Sequence, residues 1–175
     1  MLSSKSSAMT TPPPTSAEFR QALGQFATGV TVVTVERDPG LVHGMTASSF
    51  TSVSLDPLLI LVCIDQNARM LTLLRDKKRF GVSVLRENQQ AVSEFFAQPE
   101  QPEHSEARLG IRFGWGKDGI PILEDTLARL ACTVVSSHVS GDHTIFIGKV
   151  ESVEVDEGEP LLHFRGKYRK ICEGQ

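Results

Sequence analysis

Residues 127–155 read LARLACTVVSSHVSGDHTIFIGKVESVEV. Leu127 to Ser136 and Thr144 to Val155 are two long strand candidates, rich in β-branched residues and joined by a loop over 137–143. In the second of them the apolar phase slips. Ile145 and Ile147 alternate, Val150 falls out of step, and Val153 and Val155 resume the alternation. Side chains of a strand change face at every residue, so a slip implies a bulge or bend, as barrel strands often have.

Strand patterns continue on either side. Val30 to Val35 is a β-branched run, followed by the turn chemistry of Asp38-Pro39-Gly40. Met45 to Val53 reads as a second strand, broken by Asp56-Pro57. Leu58 to Ile64 is apolar throughout and is expected to be buried on both faces. Phe80, Val82 and Val84 alternate as a fourth strand, and Leu161 to Tyr168 forms a last one. Helices are few. Thr15 and Glu18 have capping-box spacing ahead of Phe19, Ala22, Leu23 and Phe26, a short amphipathic helix ending near Thr28–Gly29. Residues 67–76 put Met70, Leu71 and Leu74 on one face, and Asn88 caps a helix that Pro99 stops. Residues 99–126 look irregular. The expected fold is mainly β with a few helices, a single-domain barrel over residues 15–175 behind a disordered Ser/Thr/Pro-rich tail over 1–14.

Composition excludes several functions. The 175 residues carry a net charge of −3, without the basic excess of a nucleic-acid binder. The longest apolar run, Leu58 to Ile64, is too short to span a membrane, and no apolar leader segment opens the chain. Cys63, Cys132 and Cys172 are widely spaced and read as free thiols in a reducing compartment, the cytoplasm. The histidines are dispersed, so no metal site is expected.

Four short motifs carry chemistry, each with a plainer reading beside it. Gly114-Trp115-Gly116-Lys117-Asp118-Gly119 spells a dinucleotide fingerprint, but Ile120-Pro121 follows where a helix is needed, so a Gly-rich surface loop is expected. Gly44-Met45-Thr46-Ala47-Ser48-Ser49-Phe50 gathers hydroxyls and small side chains that suit a polar ring edge or a phosphate. The same residues also read as a polar strand end whose hydroxyls bond neighbouring backbone. Asn67-Ala68-Arg69 opens a helix, where an anion is favoured and Arg69 adds charge; the alternative is an Asn cap beside a solvated Arg. Gly141-Asp142-His143 pairs a carboxylate with an imidazole in a way that could fix its tautomer, or is simply a turn in which His143 starts a strand.

In order along the chain, Phe26-Ala27-Thr28-Gly29-Val30, Gly44 to Phe50, Ser52-Val53-Ser54-Leu55-Asp56-Pro57, Leu61-Val62-Cys63-Ile64, Phe80 to Leu85 and Gly141 to Gly148 resemble the flavin reductase family. These are the reductase components of two-component flavin-dependent monooxygenases. The resemblance spans about residues 16–172. It implies the FMN-binding split β-barrel and hydride transfer from NADH or NADPH to FMN or FAD. It also implies a homodimer that supplies reduced flavin to a separate monooxygenase. By the same resemblance Thr46, Ala47, Ser48 and Ser49 line the flavin, and Cys63 lies beside its ring. Asn67, Ala68 and Arg69 hold its phosphate end, His143 is the catalytic residue near the nicotinamide, and Tyr168 closes the site. The chain departs from many relatives at Leu58, Ser83 and Ala68, where they carry Pro, Asn and Ser. The alternatives are a tightly held flavin serving another acceptor, a non-catalytic flavin-binding module, and a subunit of the oxygenase itself.

Overall fold

A computed structural model of the protein describes residues 12–101 and 106–171. Most of the expected tail, residues 1–11, lies outside the described residues, as does Cys172. The expected strand pair forms β9 (Ala128–Ser140) and β10 (His143–Val155), both longer than expected. The loop expected over 137–143 shrinks to Gly141-Asp142, because only the turn needs the left-handed φ of +63° that Gly141 adopts. Register shifts fall between Ile147 and Gly148 and between Val150 and Ser152, where the apolar phase slips.

Ahead of this pair the chain forms β2 (Thr31–Asp38), β3 (Leu41–Ala47), β4 (Phe50–Leu55), β5 (Leu58–Asp65) and β6 (Arg79–Val84). All join β9 and β10 in one seven-stranded antiparallel sheet, ordered β3-β2-β6-β9-β10-β5-β4. The two edge strands, β3 and β4, are consecutive in the chain and joined only by Ser48-Ser49. A sheet whose edges are two residues apart must curl, so it takes a barrel-like form with β3 and β4 as its edges. Phe80, Val62, Val33 and Phe146 fill its interior. Helix α2 (Arg69–Lys77) adds Met70, Leu71 and Leu74 to that core, as its spacing predicts.

A second core lies on the other side of β2. Phe95 and Phe96 of helix α3 (Gln90–Phe96) pack with Val30, Val32, Leu85 and Leu161. A small sheet of β1 (Thr28–Gly29), β11 (Leu162–Phe164) and β12 (Lys167–Arg169) borders it. The β7 (Phe113–Trp115) and β8 (Pro121–Leu123) hairpin lies within 99–126, which is therefore more regular than expected.

Several elements differ from expectation. The Thr15–Glu18 capping box forms, but α1 (Ser16–Leu23) ends earlier, because Thr28 and Gly29 pair with β11 instead. None of α1 is buried; Phe19, Leu23 and Phe26 lie exposed. The strand expected over Met45 to Val53 is two strands. β5 buries Ile60, Val62 and Ile64 but only half-buries Leu59, Leu61 and Cys63, so it has one inner and one outer face. The N-cap of α3 is Gln89, not Asn88. The stretch expected as one last strand folds into the β11–β12 hairpin. The Gly114–Gly119 motif runs from β7 into a turn with no helix after it, the surface loop expected. No helix among the described residues is long and apolar enough to cross a membrane.

Candidate functional site

The β3–β4 corner holds three of the expected hydroxyls, and two are committed to backbone. Thr46 Oγ1 donates to the Ser93 carbonyl at 2.7 Å. Ser49 Oγ donates to the Cys63 carbonyl at 3.0 Å and accepts from its N–H at 3.2 Å. Ser49 thus continues the β4–β5 ladder by side chain, which is the plainer reading of this segment. Ala47 packs into the barrel core while its carbonyl accepts from Thr31 Oγ1 at 2.7 Å. Ser48 is exposed and makes no side-chain hydrogen bond among the described residues, so its hydroxyl and the corner backbone are what a ligand would meet.

Across β5 lies the second segment. In the β5–β10 ladder His143 faces Asp65 and Ile145 faces Cys63. Gln66 ties the β5–α2 loop to the β9–β10 turn. Its backbone N–H donates to the Asp142 carbonyl at 2.9 Å, and its side-chain Nε2 donates to Thr144 Oγ1 at 3.1 Å and the His143 carbonyl at 3.3 Å. His143 Nδ1 lies 2.7 Å from Asp142 Oδ1, and this bond holds the Asp142 carboxyl below its ordinary range. An ionised carboxylate only accepts, so Nδ1 carries the proton and Nε2 remains for a ligand.

The third segment is the start of α2. Asn67 donates its backbone N–H to Asp65 Oδ1 at 2.7 Å, and the N-cap is Ala68, whose side chain cannot cap. The Asn cap considered from sequence is therefore not formed. No acidic residue occupies the first turn, and exposed Arg69 has no hydrogen bond or ion pair among the described residues. An uncapped helix start beside an unpaired guanidinium favours an anion.

Tyr168 is joined to the corner through one residue. Its hydroxyl lies 2.9 Å from Ser93 Oγ, while the Ser93 carbonyl receives Thr46. The His163 ring meets Tyr168 edge-on at 5.8 Å. Ser93 and Gln66 tie the candidate segments together and were not singled out from the sequence. Ser93 offered one signal, a polar residue on the buried side of an otherwise apolar helix face; Gln66 offered none.

His43 was missed as well. It is 9% exposed on β3, and burial, Arg69 and Arg37 together push its imidazole down to about 4. The unfolded chain takes up this proton near pH 6.5, whereas the folded protein resists it. Stability from this residue is thus complete above about pH 6.5 and falls by about 3 kcal/mol as pH drops toward 4. His43→Gln should flatten that part of the pH profile of thermal denaturation. An unchanged slope would show that His43 does not set it.

The corner, Cys63, the α2 start and His143 therefore share one end of the barrel. Beside them Leu61, Cys63, Ile145 and Ile147 form a half-buried apolar strip on the outer face of β5 and β10. Burial pushes the Cys63 thiol up, which keeps it protonated and poorly nucleophilic. No group of metal-ligating side chains occurs among the described residues. The arrangement offers an apolar strip for a planar ring, a corner of small residues, an anion site and a fixed imidazole.

Comparison with known proteins places the chain in a family. The flavin reductase like domain matches residues 23–172. An NADH-dependent flavin reductase of a Rhodococcus species is 45% identical over 163 residues, covering 91% of this chain and 89% of its own. The styrene monooxygenase flavin reductase of Pseudomonas putida superposes with a TM-score of 0.80 at 38% identity, covering 90% of this chain and 99% of its own. An NADH:FAD oxidoreductase of Streptomyces globisporus, solved with NAD and FAD fragments, gives 0.84 at 34% identity, covering 95% and 98%.

Proposed function

The chain belongs to the flavin reductase family, and from that premise we propose how its own residues carry out NAD(P)H-dependent reduction of flavin for a separate monooxygenase. The observation that carries the proposal is the convergence of Ser48, Cys63, Arg69 and His143 at one end of the barrel. The bound flavin supplies the hydride acceptor, and the reduced nicotinamide supplies the hydride.

The protein binds and orients. The first turn of α2 and Arg69 hold the flavin phosphate. Ser48 and the corner backbone take the polar edge of the ring, and the strip around Cys63 and Ile145 takes its apolar face. His143, locked by Asp142, positions the nicotinamide. Tyr168 and Ser93 brace Thr46 from behind the corner. Hydride transfer needs no general base, so a site without a catalytic triad is sufficient.

NADH is the donor in this reading, FMN and FAD both present the phosphate that Arg69 recognises, and the setting is the cytoplasm, where Cys63 and Cys132 stay free thiols. The active form is a homodimer. Exposed Phe19, Leu23 and Phe26 of the α1 segment support this, because a lone monomer gains nothing by leaving three large apolar side chains in water. Sedimentation at monomer mass would remove this part.

The test is anaerobic mixing of protein, NADH and free oxidised flavin. Equal molar loss of the nicotinamide and oxidised-flavin absorption bands, at catalytic protein concentration, is expected. Loss of neither band points to a binding module. Turnover only by flavin that stays with the purified protein points to a bound prosthetic group.

A further inference from the structure

Gln66-Asn67-Ala68 separates β5 from α2. This short loop lies between the two halves of the proposed site, Arg69 with the start of α2 on one side and the Asp142–His143 turn on the other. At the α2 end, Ala68 offers no side-chain cap, so no side chain satisfies the first N–H groups of the helix. At the β5 end the loop is pinned. Asp65 takes the Asn67 N–H on Oδ1 at 2.7 Å and the Ala68 N–H on its carbonyl at 3.0 Å.

Toward the turn, Gln66 makes three bonds. Its backbone N–H donates to the Asp142 carbonyl at 2.9 Å, and its Nε2 donates to the His143 carbonyl at 3.3 Å and to Thr144 Oγ1 at 3.1 Å. A carbonyl only accepts, so the amide nitrogen and not the amide oxygen faces His143. Both hydrogens of that amide are thus spent on β10. Thr144 is buried, so water does not compete for its share. A loop glutamine ordinarily faces water, whereas this one is half-buried and committed to the strand that carries His143.

We infer that Gln66 is a positioning residue through which the flavin phosphate and the nicotinamide act on one another. The inference rests on the proposed placement of the phosphate at Arg69 and of the nicotinamide at His143. A phosphate at the start of α2 satisfies the helix N–H groups and stiffens the loop that carries Gln66. Gln66 then holds the His143 carbonyl, and with it the backbone that bears the imidazole, while Asp142 fixes the ring. His143 is thereby set for the nicotinamide once the flavin is seated. Such coupling is reciprocal, so bound nicotinamide tightens the flavin by the same factor. No proton or electron passes through Gln66; its part is orientation.

Riboflavin is FMN without its phosphate, so it fills the ring site without loading the start of α2. The KM for NADH is measured at saturating FMN and at saturating riboflavin, for wild type, Gln66→Ala and Gln66→Met, with flavin binding titrated separately. Methionine matches glutamine in length and packs, but donates nothing. In the wild type the KM for NADH is expected to be about fivefold or more lower with FMN than with riboflavin. In both variants that ratio should fall to about one, with FMN binding in the absence of NADH little changed. Partial unfolding lowers kcat but leaves a ratio of KM values alone, so a merely structural role would not erase it. A ratio kept in both variants would reduce Gln66 to a structural tie and overturn the inference. A ratio kept by Gln66→Met alone would give the effect to packing and overturn it too. Equal NADH KM values with the two flavins in the wild type would also overturn it, and the flavin titration then tells which part failed. FMN bound more tightly than riboflavin would leave the phosphate reading standing; equal binding would remove that reading as well.

Discussion

Gly81→Ala is expected to lower the thermal midpoint by about 10 °C and to leave little soluble protein. Gly81 lies in β6, between β2 and β9 and under the β7–β8 hairpin. A Cβ there would fall far inside contact distance of the Pro121 carbonyl oxygen, 2.5 Å from Thr34 Oγ1 and 3.0 Å from Ile122 Cγ2. The first of these is backbone and cannot rotate away. Thr34 Oγ1 also donates to that same carbonyl, so relieving the clash breaks a buried hydrogen bond. Overpacking of a tight core costs about 1–3 kcal/mol, and a buried polar group left unpaired about as much again. Together they remove a large part of the roughly 5–15 kcal/mol that holds a domain of this size. Calorimetry on the variant checks this, and a midpoint within about 2 °C of wild type would show that the hairpin moves freely, contrary to the packing described here.

Arg69→Ala and His143→Ala should fail in different ways. Removing a guanidinium that pairs with a phosphate costs about 1.5–3 kcal/mol, which is about 10- to 100-fold in flavin KM. Arg69 is exposed and unpaired among the described residues, so the variant should keep its fold. His143→Ala should instead raise the KM for NADH or lower kcat, with flavin binding changed little. The two residues stand on different segments, joined through Gln66 and the β5–β10 ladder. Steady-state kinetics with each substrate varied, together with flavin titration, separates the outcomes. Equal losses for both substrates in His143→Ala would sink its assignment to the nicotinamide.

Features that depend on nearby residues were readable from the chain. The Thr15–Glu18 capping box, the core face of α2 and the phase slip of β10 all reflect local spacing, and all three stand in the fold. The break between β3 and β4 was not readable. Ser49 mimics a ladder bond with its hydroxyl, so the segment keeps a strand-like composition while its backbone leaves the sheet. The outer face of β5 was not readable either, because a uniformly apolar run does not say which face meets the core. At the candidate site, the ordered motifs pointed to segments that the fold brings to one end of the barrel, but not to what their side chains bond. Thr46 and Ser49 are spent on backbone 47 and 14 residues away, and Tyr168 reaches the corner through Ser93, 75 residues distant. Partners at such separations leave no periodicity to read.

The central claim is the placement of the flavin, and a crystal structure of the protein with bound oxidised FAD tests it most directly. The account predicts the ring against Cys63 and Ile145 at the Ser48 corner and a phosphate on Arg69 and the start of α2. A flavin seated elsewhere, with Arg69 and Ser48 both in water, would contradict it.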